Sequence, residues 1–445
     1  MPNSSFYSAL ARSIAAGEPA AEPILTRASR TLGRNWRWLR PLTRRYLEAF
    51  GPETRPTQKD VVAFLITDAG LKAALRRHGS QVRIAEWLHE PAQMRPVEAA
   101  RKWKIPEIES ANALAEWLQL SASELGWFAD LKMLAARLGK EELEGALGHY
   151  HYRILAKEGG SVRLIEAPKQ RLKEMQGRIL TGILENIPVH PAVHGFRKGR
   201  SIKTFAAPHV RQRVVLRMDL QDFFPSLRDG RVKAMFRMAG YPELVAKLLG
   251  GLCTNAAPRS LWRKVGVARD VPRMNDASDL YSRSHLPQGA PSSPALANIC
   301  AYRMDCRLAG LAESAGAVYT RYADDLAFSG GEKFERSAEG FAIHAAAILM
   351  EEGFTVNHRK TRVMKRGVRQ YLAGLVTNDR INVVREDFDR LKATLTNCVH
   401  YGAESQNREN HGAFRSHLEG RVGFVEAVNP AKGARLRRIL EKIRW

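Results

Sequence analysis

The sequence lacks several features that define well-known protein classes. It has only 4 cysteines in 445 residues, and they form neither a Cys-x-x-Cys pair nor a Cys/His spacing typical of zinc. These cysteines are Cys253, Cys300, Cys306 and Cys398. A disulfide framework and a structural zinc site are therefore disfavoured, and a reducing, cytoplasmic setting is expected. No apolar run approaches the ~18 residues of a membrane span, and the start of the chain does not resemble a signal peptide. We expect no membrane partner.

Acidic residues are scarce relative to basic ones. Asp and Glu number 46 against 70 Lys and Arg, which leaves a formal charge of +24. Such a surplus favours a polyanionic partner, because Lys and Arg bind phosphates and release counterions. Hydrophobic residues make up 44% of the chain, enough for a packed core. Neither a phosphate-binding Walker loop nor a Ser/His/Asp or Cys/His nucleophile pattern is present, so NTPase and protease classes are disfavoured.

The first ~140 residues are predicted to be helical. Apolar residues recur three and four apart over 59–79 and 110–139, as on an amphipathic helix. Gly79 and Gly139 are expected helix ends, and the run from Ser121 to Glu124 matches a capping box. Six of the eight tryptophans lie in this region, which indicates an aromatic-rich helical core.

A stripe of arginines crosses this region. Its members follow a spacing of three and four, without an acid between Glu22 and Glu48: Arg27, Arg30, Arg34, Arg37, Arg40 and Arg44. On a helix they would share one face, although Pro41 is expected to split the stretch. Two interpretations stay open: binding of a phosphate backbone by Arg30, Arg34 and Arg37, or an ordinary solvated surface.

From about residue 150 the pattern changes to mixed helix and strand. Residues 153–168 predict a hairpin with a Gly-Gly turn, and VVLRMDL (214–220) predicts a β-branched strand. Two short strands flank Asp324-Asp325, and 369–387 predicts a hairpin bent at Asn378-Asp379. The last ~60 residues return to helical periodicity and end in a basic segment. The predicted order is helical, then α+β, then helical.

Three carboxylates stand out by position. Asp219 ends a strand, and Asp324 and Asp325 are consecutive at a hairpin turn, where a purely structural turn would favour Asn-Gly. If the strands are neighbours, the acids cluster, and their mutual repulsion requires cations. Mg²⁺ suits such a site because it binds few carboxylates and keeps positions for water and phosphate oxygens. Two such ions are able to activate a hydroxyl and stabilise a leaving pyrophosphate.

Five motifs in order give the acids a context. The chain resembles the palm of a reverse transcriptase over about 160–430, through HGFRKGRS (194–201), MDLQDFF (218–224), LPQGAPSSPALANI (286–299), YADD (322–325) and GFTVNHRKTRV (353–363). Two segments, VYTRYADDLAFSG (318–330) and GRVGFVEAVNP (420–430), are most similar to the corresponding segments of retron reverse transcriptases.

This resemblance implies an α+β right-hand polymerase with fingers, a palm built on an antiparallel sheet, and a helical thumb, preceded by an all-helical domain. The expected domains are 1–140, a helical extension that binds RNA or an effector; 141–375, fingers and palm; and 376–445, a thumb that binds RNA or duplex. The implied activity is RNA-directed DNA synthesis from dNTPs. The implied template is a cognate structured noncoding RNA, copied into single-stranded DNA within an RNA–DNA hybrid. Anti-phage defence and a separate effector protein are expected as well.

The resemblance also implies roles for individual residues. Asp219, Asp324 and Asp325, with the backbone carbonyl of Leu220, would hold two Mg²⁺ ions. Lys360 would lie near the leaving pyrophosphate and protonate it. The roles expected in nucleotide binding are a sugar gate at Phe224, nucleotide contacts at Gln288 and Gly289, and triphosphate neutralisation by Arg163 and Lys169. The further residues expected to bind RNA are His209, Gly374, Arg437 and Arg438.

The sequence departs from the retron pattern in three places. The Asn-Ala-x-x-His signature keeps Ala206 and His209 but has Phe205 in place of Asn, and Val-Thr-Gly is replaced by Leu-Ala-Gly ending at Gly374. Residues 254–285 are longer than expected between motifs. The metal site is untouched, but the mode of RNA recognition stays open. The alternatives are another bacterial defence polymerase with a different template or none, and a non-catalytic RNA-binding module. Retention of all three acids disfavours the second.

Overall fold

The computed structural model describes residues 4–51, 54, 56–79, 81–88, 93–134, 148–156, 162–263 and 274–445. They form two compact units of interleaved sequence. The first unit contains Met1–Pro188 and Leu227–Leu296, and the second contains Val189–Ser226 and Ala297–Trp445. The domain boundaries expected at 140 and 375 separate regions of different expected function, whereas the two units are defined by contacts within the fold. The expected boundaries therefore stay a prediction.

The described chain begins with seven α-helices, continues with mixed helices and strands, and ends with three α-helices. The α-helices are α1 (Ser4–Ala15), α2 (Ala21–Thr31), α3 (Leu39–Phe50), α4 (Gln58–Thr67), α5 (Ala69–His78), α6 (Ala111–Leu118), α7 (Ala122–Ala129), α8 (Gln170–Gly182), α9 (Ile202–Ala206), α10 (Phe223–Ser226), α11 (Asp229–Met238), α12 (Glu243–Cys253), α13 (Ser260–Arg263), α14 (Met274–Tyr281), α15 (Ser293–Cys300), α16 (Tyr302–Ser314), α17 (Glu332–Glu351), α18 (Arg385–Tyr401), α19 (Phe414–Val428) and α20 (Pro430–Leu440). The strands are β1 (Tyr150–Ala156), β2 (Val162–Pro168), β3 (Val214–Gln221), β4 (Ala317–Tyr322), β5 (Asp325–Gly330), β6 (Thr355–Val356), β7 (Arg362–Lys365), β8 (Tyr371–Leu372), β9 (Leu375–Val376) and β10 (Asn382–Val383). Short 3₁₀ turns occur at Glu98–Ala100, Leu184–Asn186, Ala207–His209 and Glu404–Gln406.

The described part of the N-terminal region is helical, as predicted. The periodic run over 59–79 forms two helices rather than one, because Asp68 leaves the helix and its side chain caps α5 by accepting from the Leu71 backbone N–H at 2.6 Å. The predicted capping box of Ser121 and Glu124 begins α7. Gly79 follows α5 as predicted, whereas Gly139 lies outside the described residues.

The arginine stripe is divided between two helices, as predicted, but the break does not lie at Pro41. Helix α2 ends at Thr31 and α3 begins at Leu39, so the break precedes Pro41, which sits in the first turn of α3 where proline is tolerated. Arg27 is buried and donates to the backbone carbonyls of Ser13 and Glu18, at 2.9 and 3.1 Å. Its charge therefore neutralises the carbonyl end of α1 and is not available to a phosphate backbone.

The hairpin predicted after residue 150 is confirmed in the first unit. Strands β1 and β2 pair antiparallel from Tyr150 opposite Pro168 to Ala156 opposite Val162. The predicted Gly-Gly turn lies outside the described residues. On β2 the burial alternates, which leaves Arg163 exposed and places Leu164 fully in the core.

An antiparallel sheet in the second unit carries the acidic motifs. Its order is β4-β5-β3-β6, with β7 also paired to β3. Residues Val214, Val215 and Leu216 of β3 are completely buried, as expected of a central strand that is covered on both faces. The β3–β5 register runs from Val214 opposite Gly330 to Asp219 opposite Asp325. Helix α17 packs against β3 and β5.

The C-terminal part of the second unit joins a small sheet to three helices. Strands β10-β9-β8 form an antiparallel sheet, which confirms the hairpin predicted around Asn378-Asp379 and adds a second one at Ala373-Gly374. One apolar core unites these strands with α18, α19 and α20, and its fully buried members include Leu372, Leu375, Leu395, Leu418, Val422 and Leu436. The α+β fold class is confirmed. Within the described residues, every helix is too short or too polar to cross a membrane.

Candidate active site

The β3–β5 pairing brings the three acids of the second unit together. Asp219 lies directly opposite Asp325 in the register. Strands β4 and β5 pair up to Tyr322 opposite Asp325, so the hairpin loop consists of Ala323 and Asp324 alone. The backbone N–H of Leu220 donates to the Asp324 carbonyl at 3.0 Å. This bond joins the acidic turn to the end of β3. It also places the Leu220 backbone beside the three acids with which it was predicted to bind metal.

Two basic side chains contact these carboxylates. Lys360 donates from Nζ to Asp219 Oδ1 at 3.0 Å. Arg217 donates from Nε and Nη2 to Asp325 Oδ1, at 2.9 and 2.7 Å. The arrangement leaves three carboxylates and two cations at one end of the sheet, all within the second unit.

Crowding shifts the proton affinity of the acidic turn. Burial, followed by the charges of Asp325 and Asp219, raises the pKa of Asp324 to about 6. Burial also raises the pKa of Asp325, although Arg217 opposes that shift. The raised pKa values therefore reflect mainly the burial of these carboxylates, with repulsion between them as the second cause for Asp324.

The donor set fits a divalent cation, because clustered carboxylate oxygens are the ligands that hard cations prefer and their repulsion requires positive charge. Among the described residues, no three His, Cys, Asp or Glu side chains are already arranged as a metal-binding group. Lys360 and Arg217 instead hold two of the three carboxylates.

Two further residues predicted to act in the polymerase site, Lys360 and Phe224, also belong to the second unit. Lys360 contacts Asp219 and keeps 57% of its side chain exposed, so its ammonium group is open to solvent. Phe224 lies half-buried in α10, with its ring centroid 5.7 Å from that of Phe223 and 6.0 Å from that of Phe196. Phe223 is buried, as expected of a core residue. The sugar-gate role of Phe224 stays a prediction.

Four of the residues predicted to bind the nucleotide lie in the first unit. Gln288 is half-buried, and its backbone carbonyl accepts from the Glu166 N–H at 2.8 Å. Gly289 has φ +133°, and a Cβ there would lie 3.0 Å from the Glu166 carbonyl oxygen, so only glycine fits without strain. Arg163 is exposed on β2, and Lys169 is half-buried where α8 begins.

A buried polar cluster supports this segment, and sequence inspection missed it. Glu166 and His285 are both fully buried, with Glu166 Oε2 and His285 Nε2 2.8 Å apart. Asn255 donates from Nδ2 to Glu166 Oε1 at 2.8 Å. His285 directly precedes the LPQG motif, so the cluster fixes both sides of the Gln288 contact. The sequence did contain one signal of this cluster: Glu166 is a charged residue at a position of β2 that alternation assigns to the core.

The predicted RNA contact of His209 is wrong. His209 is fully buried, and both ring nitrogens are engaged, Nδ1 with Ser329 Oγ at 2.6 Å and Nε2 with Thr320 Oγ1 at 2.7 Å. Burial lowers its pKa to about 3, so the ring is neutral. This histidine joins β4 and β5 and has no surface to offer RNA.

The other residues predicted to bind RNA lie on the surface, several with partners. Arg30 forms a bidentate pair with Glu86, at 3.0 and 2.6 Å. The Arg34 guanidinium lies 4.9 Å from the ring centroid of Trp36, and Arg37 is exposed. Their role in binding RNA stays a prediction.

The residues predicted to bind RNA in the thumb also differ in exposure and in whether they have a partner. Arg437 is half-buried and its Nε donates to Glu426 Oε1 at 2.9 Å, whereas Arg438 is exposed on the same helix, α20. Gly374 occupies the tight β8–β9 turn with φ +87°. Arg438 and Gly374 therefore remain accessible candidates, and Arg437 is partly neutralised.

Three further residues shape the site without having been predicted. Arg217 lies two positions before Asp219 on β3, and strand alternation could have placed it on the same face. Arg321 is buried beneath the acidic turn. At Gly195, a Cβ would lie 2.6 Å from the backbone N of Ala323, so this residue must be glycine for the turn to approach.

Comparison with known proteins assigns the class. Residues 155–376 match the family model described as reverse transcriptase (RNA-dependent DNA polymerase). This range contains the acids, Lys360 and the LPQG segment. The matched family consists of nucleotidyltransferases that generally depend on divalent metal ions.

Curated relatives narrow the class. The chain is 43% identical to the retron Mx65 reverse transcriptase of Myxococcus xanthus over 65% of this chain and 64% of that protein. It is 35% identical to the retron Mx162 reverse transcriptase of the same organism, over 80% and 71%. It is 30% identical to the retron Ec86 reverse transcriptase of Escherichia coli, over 66% and 82%. The chain therefore belongs to the retron reverse transcriptase family, although it spans somewhat less than two thirds of the Mx65 enzyme.

Proposed function

We propose that this chain reverse transcribes one cognate structured noncoding RNA into single-stranded DNA that remains in an RNA–DNA hybrid. The observation that carries the proposal is the meeting of Asp219, Asp324 and Asp325 on paired strands of one sheet. A polymerase needs such a cluster to approach the phosphates of primer and nucleotide, and the rest of a chain with charge +24 suits the nucleic acid itself.

The metal in this proposal is Mg²⁺, as two ions. Asp219, Asp324 and Asp325 would hold them, with the Leu220 backbone carbonyl as a further ligand. When bound, the ions lower the pKa of the attacking hydroxyl and neutralise charge on the leaving pyrophosphate.

The side chains around the acids have separate tasks in the proposed reaction. The Lys360 ammonium, held by Asp219, donates a proton to the leaving pyrophosphate. Phe224 presents a ring that excludes a ribose 2′ hydroxyl. Arg163 and Lys169 neutralise the triphosphate, and Gln288 with Gly289 contacts the nucleotide.

Exposed cations provide the proposed grip on RNA. Arg34 and Arg37 in the N-terminal region, and Arg438 on α20, are exposed. Binding through such residues weakens steeply with salt because it depends on counterion release. The four cysteines are free thiols, which supports a reducing, cytoplasmic setting. Anti-phage defence and a separate effector protein stay predictions.

The test is the identity of the product. The chain is purified with the nucleic acid that it retains, supplied with Mg²⁺ and dNTPs, and the product is sequenced from both ends and examined for a 2′–5′ branch. The proposal predicts DNA complementary to one structured RNA. A homopolymer or a product of random sequence would instead favour a defence polymerase with another template or none. The double variant Asp324→Asn, Asp325→Asn is the control for product made by a contaminant.

A further inference from the structure

A completely buried ion pair lies directly behind the acidic turn. Arg321 is the fifth residue of β4, three positions before Asp324, and Asp305 belongs to α16. Both side chains have zero exposure. Arg321 donates from Nε to Asp305 Oδ1 and from Nη2 to Asp305 Oδ2, each at 2.7 Å. The pair is therefore bidentate, the geometry that holds a guanidinium most firmly.

The remaining nitrogen of the guanidinium points back to the acidic turn. Nη1 of Arg321 donates to the Ala323 carbonyl at 3.1 Å and to Asn298 Oδ1 at 3.1 Å. Ala323 is the first of the two loop residues and has φ +54°, a left-handed conformation that residues other than glycine avoid. A buried donor on its carbonyl holds the loop in this disfavoured conformation.

A second contact fixes the same turn. Asn298 donates from Nδ2 to the Gly195 carbonyl at 2.9 Å. The Gly195 backbone in turn lies so close to the turn that an added Cβ would be 2.6 Å from the Ala323 N. Arg321 therefore acts on the turn in two ways. It bonds directly to the Ala323 carbonyl, and it bonds to Asn298, which in turn bonds to the neighbouring Gly195 segment.

Fold stability alone does not explain this pair. Desolvation of two buried charges costs about as much as their attraction returns, and apolar side chains of similar volume often serve a fold equally well. What apolar side chains would not supply is a donor aimed at the Ala323 carbonyl. The specific effect of the pair is therefore on the geometry of the turn.

We propose that Arg321, oriented by Asp305, is a positioning residue that holds the Ala323-Asp324 turn in the conformation in which the carboxylates bind divalent cations. This inference rests on the proposed function, because it concerns the same acidic cluster. A lysine would not replace Arg321, because a single ammonium group on a flexible stem does not span Asp305 and Ala323 with the rigid fork of a guanidinium.

The test compares variants by their affinity for Mn²⁺, titrated by electron paramagnetic resonance without nucleic acid or dNTPs. The informative variant is Arg321→Met with Asp305→Leu, which removes both charges and keeps an apolar core. Arg321→Lys retains a charge but loses the fork, and it serves if the double variant does not fold. Tyr319→Phe is the matched control, since the Tyr319 hydroxyl donates to Asp305 Oδ1 at 2.8 Å without contacting the turn.

We expect the double variant to fold and to bind Mn²⁺ about 10- to 100-fold more weakly, the range typical for loss of groups that orient metal ligands. Arg321→Lys should show a smaller loss in the same direction. Tyr319→Phe should melt at a lower temperature because Asp305 loses one hydrogen bond. It should still bind Mn²⁺ within about 2-fold of the wild type, because the bond from Arg321 to the Ala323 carbonyl is kept. Primer extension should show the loss in kcat, with the KM for dNTP changed by less than about 3-fold.

Wild-type Mn²⁺ affinity in the folded double variant, or in Arg321→Lys, would overturn the proposal. An equal loss in Tyr319→Phe would also overturn it, because the effect would then follow general destabilisation. Failure of the proposed function has a different signature: the wild type would bind Mn²⁺, and lose it in the variants, without synthesising DNA.

Discussion

The raised pKa of Asp324 gives the metal-free protein a stability deficit at neutral pH. Its pKa is 3.8 in an ordinary environment and about 6 in the folded chain. Below pH 3.8 the carboxyl is protonated in both the folded and the unfolded chain. As the pH rises from there to about 6, only the unfolded chain loses the proton, so the free energy of unfolding falls. Above this window the deficit is constant.

The size of the deficit follows from the two pKa values. Their difference corresponds to about 3 kcal/mol at 1.36 kcal/mol per pH unit. Because the Asp324 side chain is partly exposed, solvent screening reduces the expected value to about 2 kcal/mol. The substitution Asp324→Asn removes the titration while it retains the shape of the neutral carboxyl. The variant should therefore be more stable than the wild type by about 2 kcal/mol at pH 7.5 and nearly equal to it at pH 4.

The measurement is urea denaturation of both proteins with a chelator present, followed by circular dichroism across this pH range. The difference between the proteins is needed because His209 acts with the opposite sign. Its lowered pKa of about 3 makes stability fall as the pH drops below its ordinary value of 6.5, and this contribution cancels in the difference.

Addition of Mg²⁺ at about 100 times its Kd should stabilise the wild type by about 2.7 kcal/mol and the variant much less. A stability difference that does not change between pH 4 and pH 7.5 would refute the argument from crowded carboxylates. An equal response of both proteins to Mg²⁺ would do the same.

Three further substitutions test separate parts of the site. Gly195→Ala should lower the rate of DNA synthesis about 10- to 100-fold, the range for displaced supporting groups, because the new Cβ would collide with the Ala323 backbone; Gly423→Ala, where a Cβ meets no atom within 4 Å, is the control. His209→Ala should lower the free energy of unfolding by about 1 to 3 kcal/mol, because the buried Ser329 hydroxyl loses its His209 partner, whereas the Thr320 hydroxyl still donates to the Phe205 carbonyl; the RNA affinity of the folded protein should stay the same. Phe224→Ala should reduce the preference for dNTPs over rNTPs, measured as a ratio of kcat/KM, by about 10-fold or more.

Each of these expectations has a result that contradicts it. Wild-type activity in Gly195→Ala would mean that the turn tolerates a shift of its neighbour. Loss of RNA affinity in stable, folded His209→Ala would restore this residue to RNA recognition. Unchanged sugar selectivity in Phe224→Ala would reduce its ring to a core residue.

The sequence was sufficient to place the three clustered acids and the strands that carry them. Asp219, Asp324 and Asp325 could be placed because strand and turn signals lie next to them, and antiparallel pairing of those strands leaves few ways to arrange the carboxylates. The capping box at Ser121 could be located for the same reason, since both of its interactions are local.

Contacts between distant segments could not be predicted from local patterns. The arginine stripe looked unbalanced because Glu86, the partner of Arg30, lies 56 residues away in sequence. His209 resembled a surface signature residue, yet its partner Ser329 comes from a strand 120 residues later. The buried Arg321–Asp305 pair could not be predicted for a related reason. Its members belong to a strand and a helix, and local sequence patterns do not show that either charged side chain is buried.

We propose that the acids of the second unit hold the metal ions of an RNA-directed DNA polymerase. The most direct test of this proposal is dNTP incorporation on an RNA template with Mg²⁺ by the wild type and by Asp219→Asn, with RNA affinity measured for both. We expect DNA synthesis by the wild type, a loss of at least about 10³-fold in the variant, and similar RNA affinity for both proteins. Continued synthesis by a homogeneous Asp219→Asn preparation would contradict the proposal.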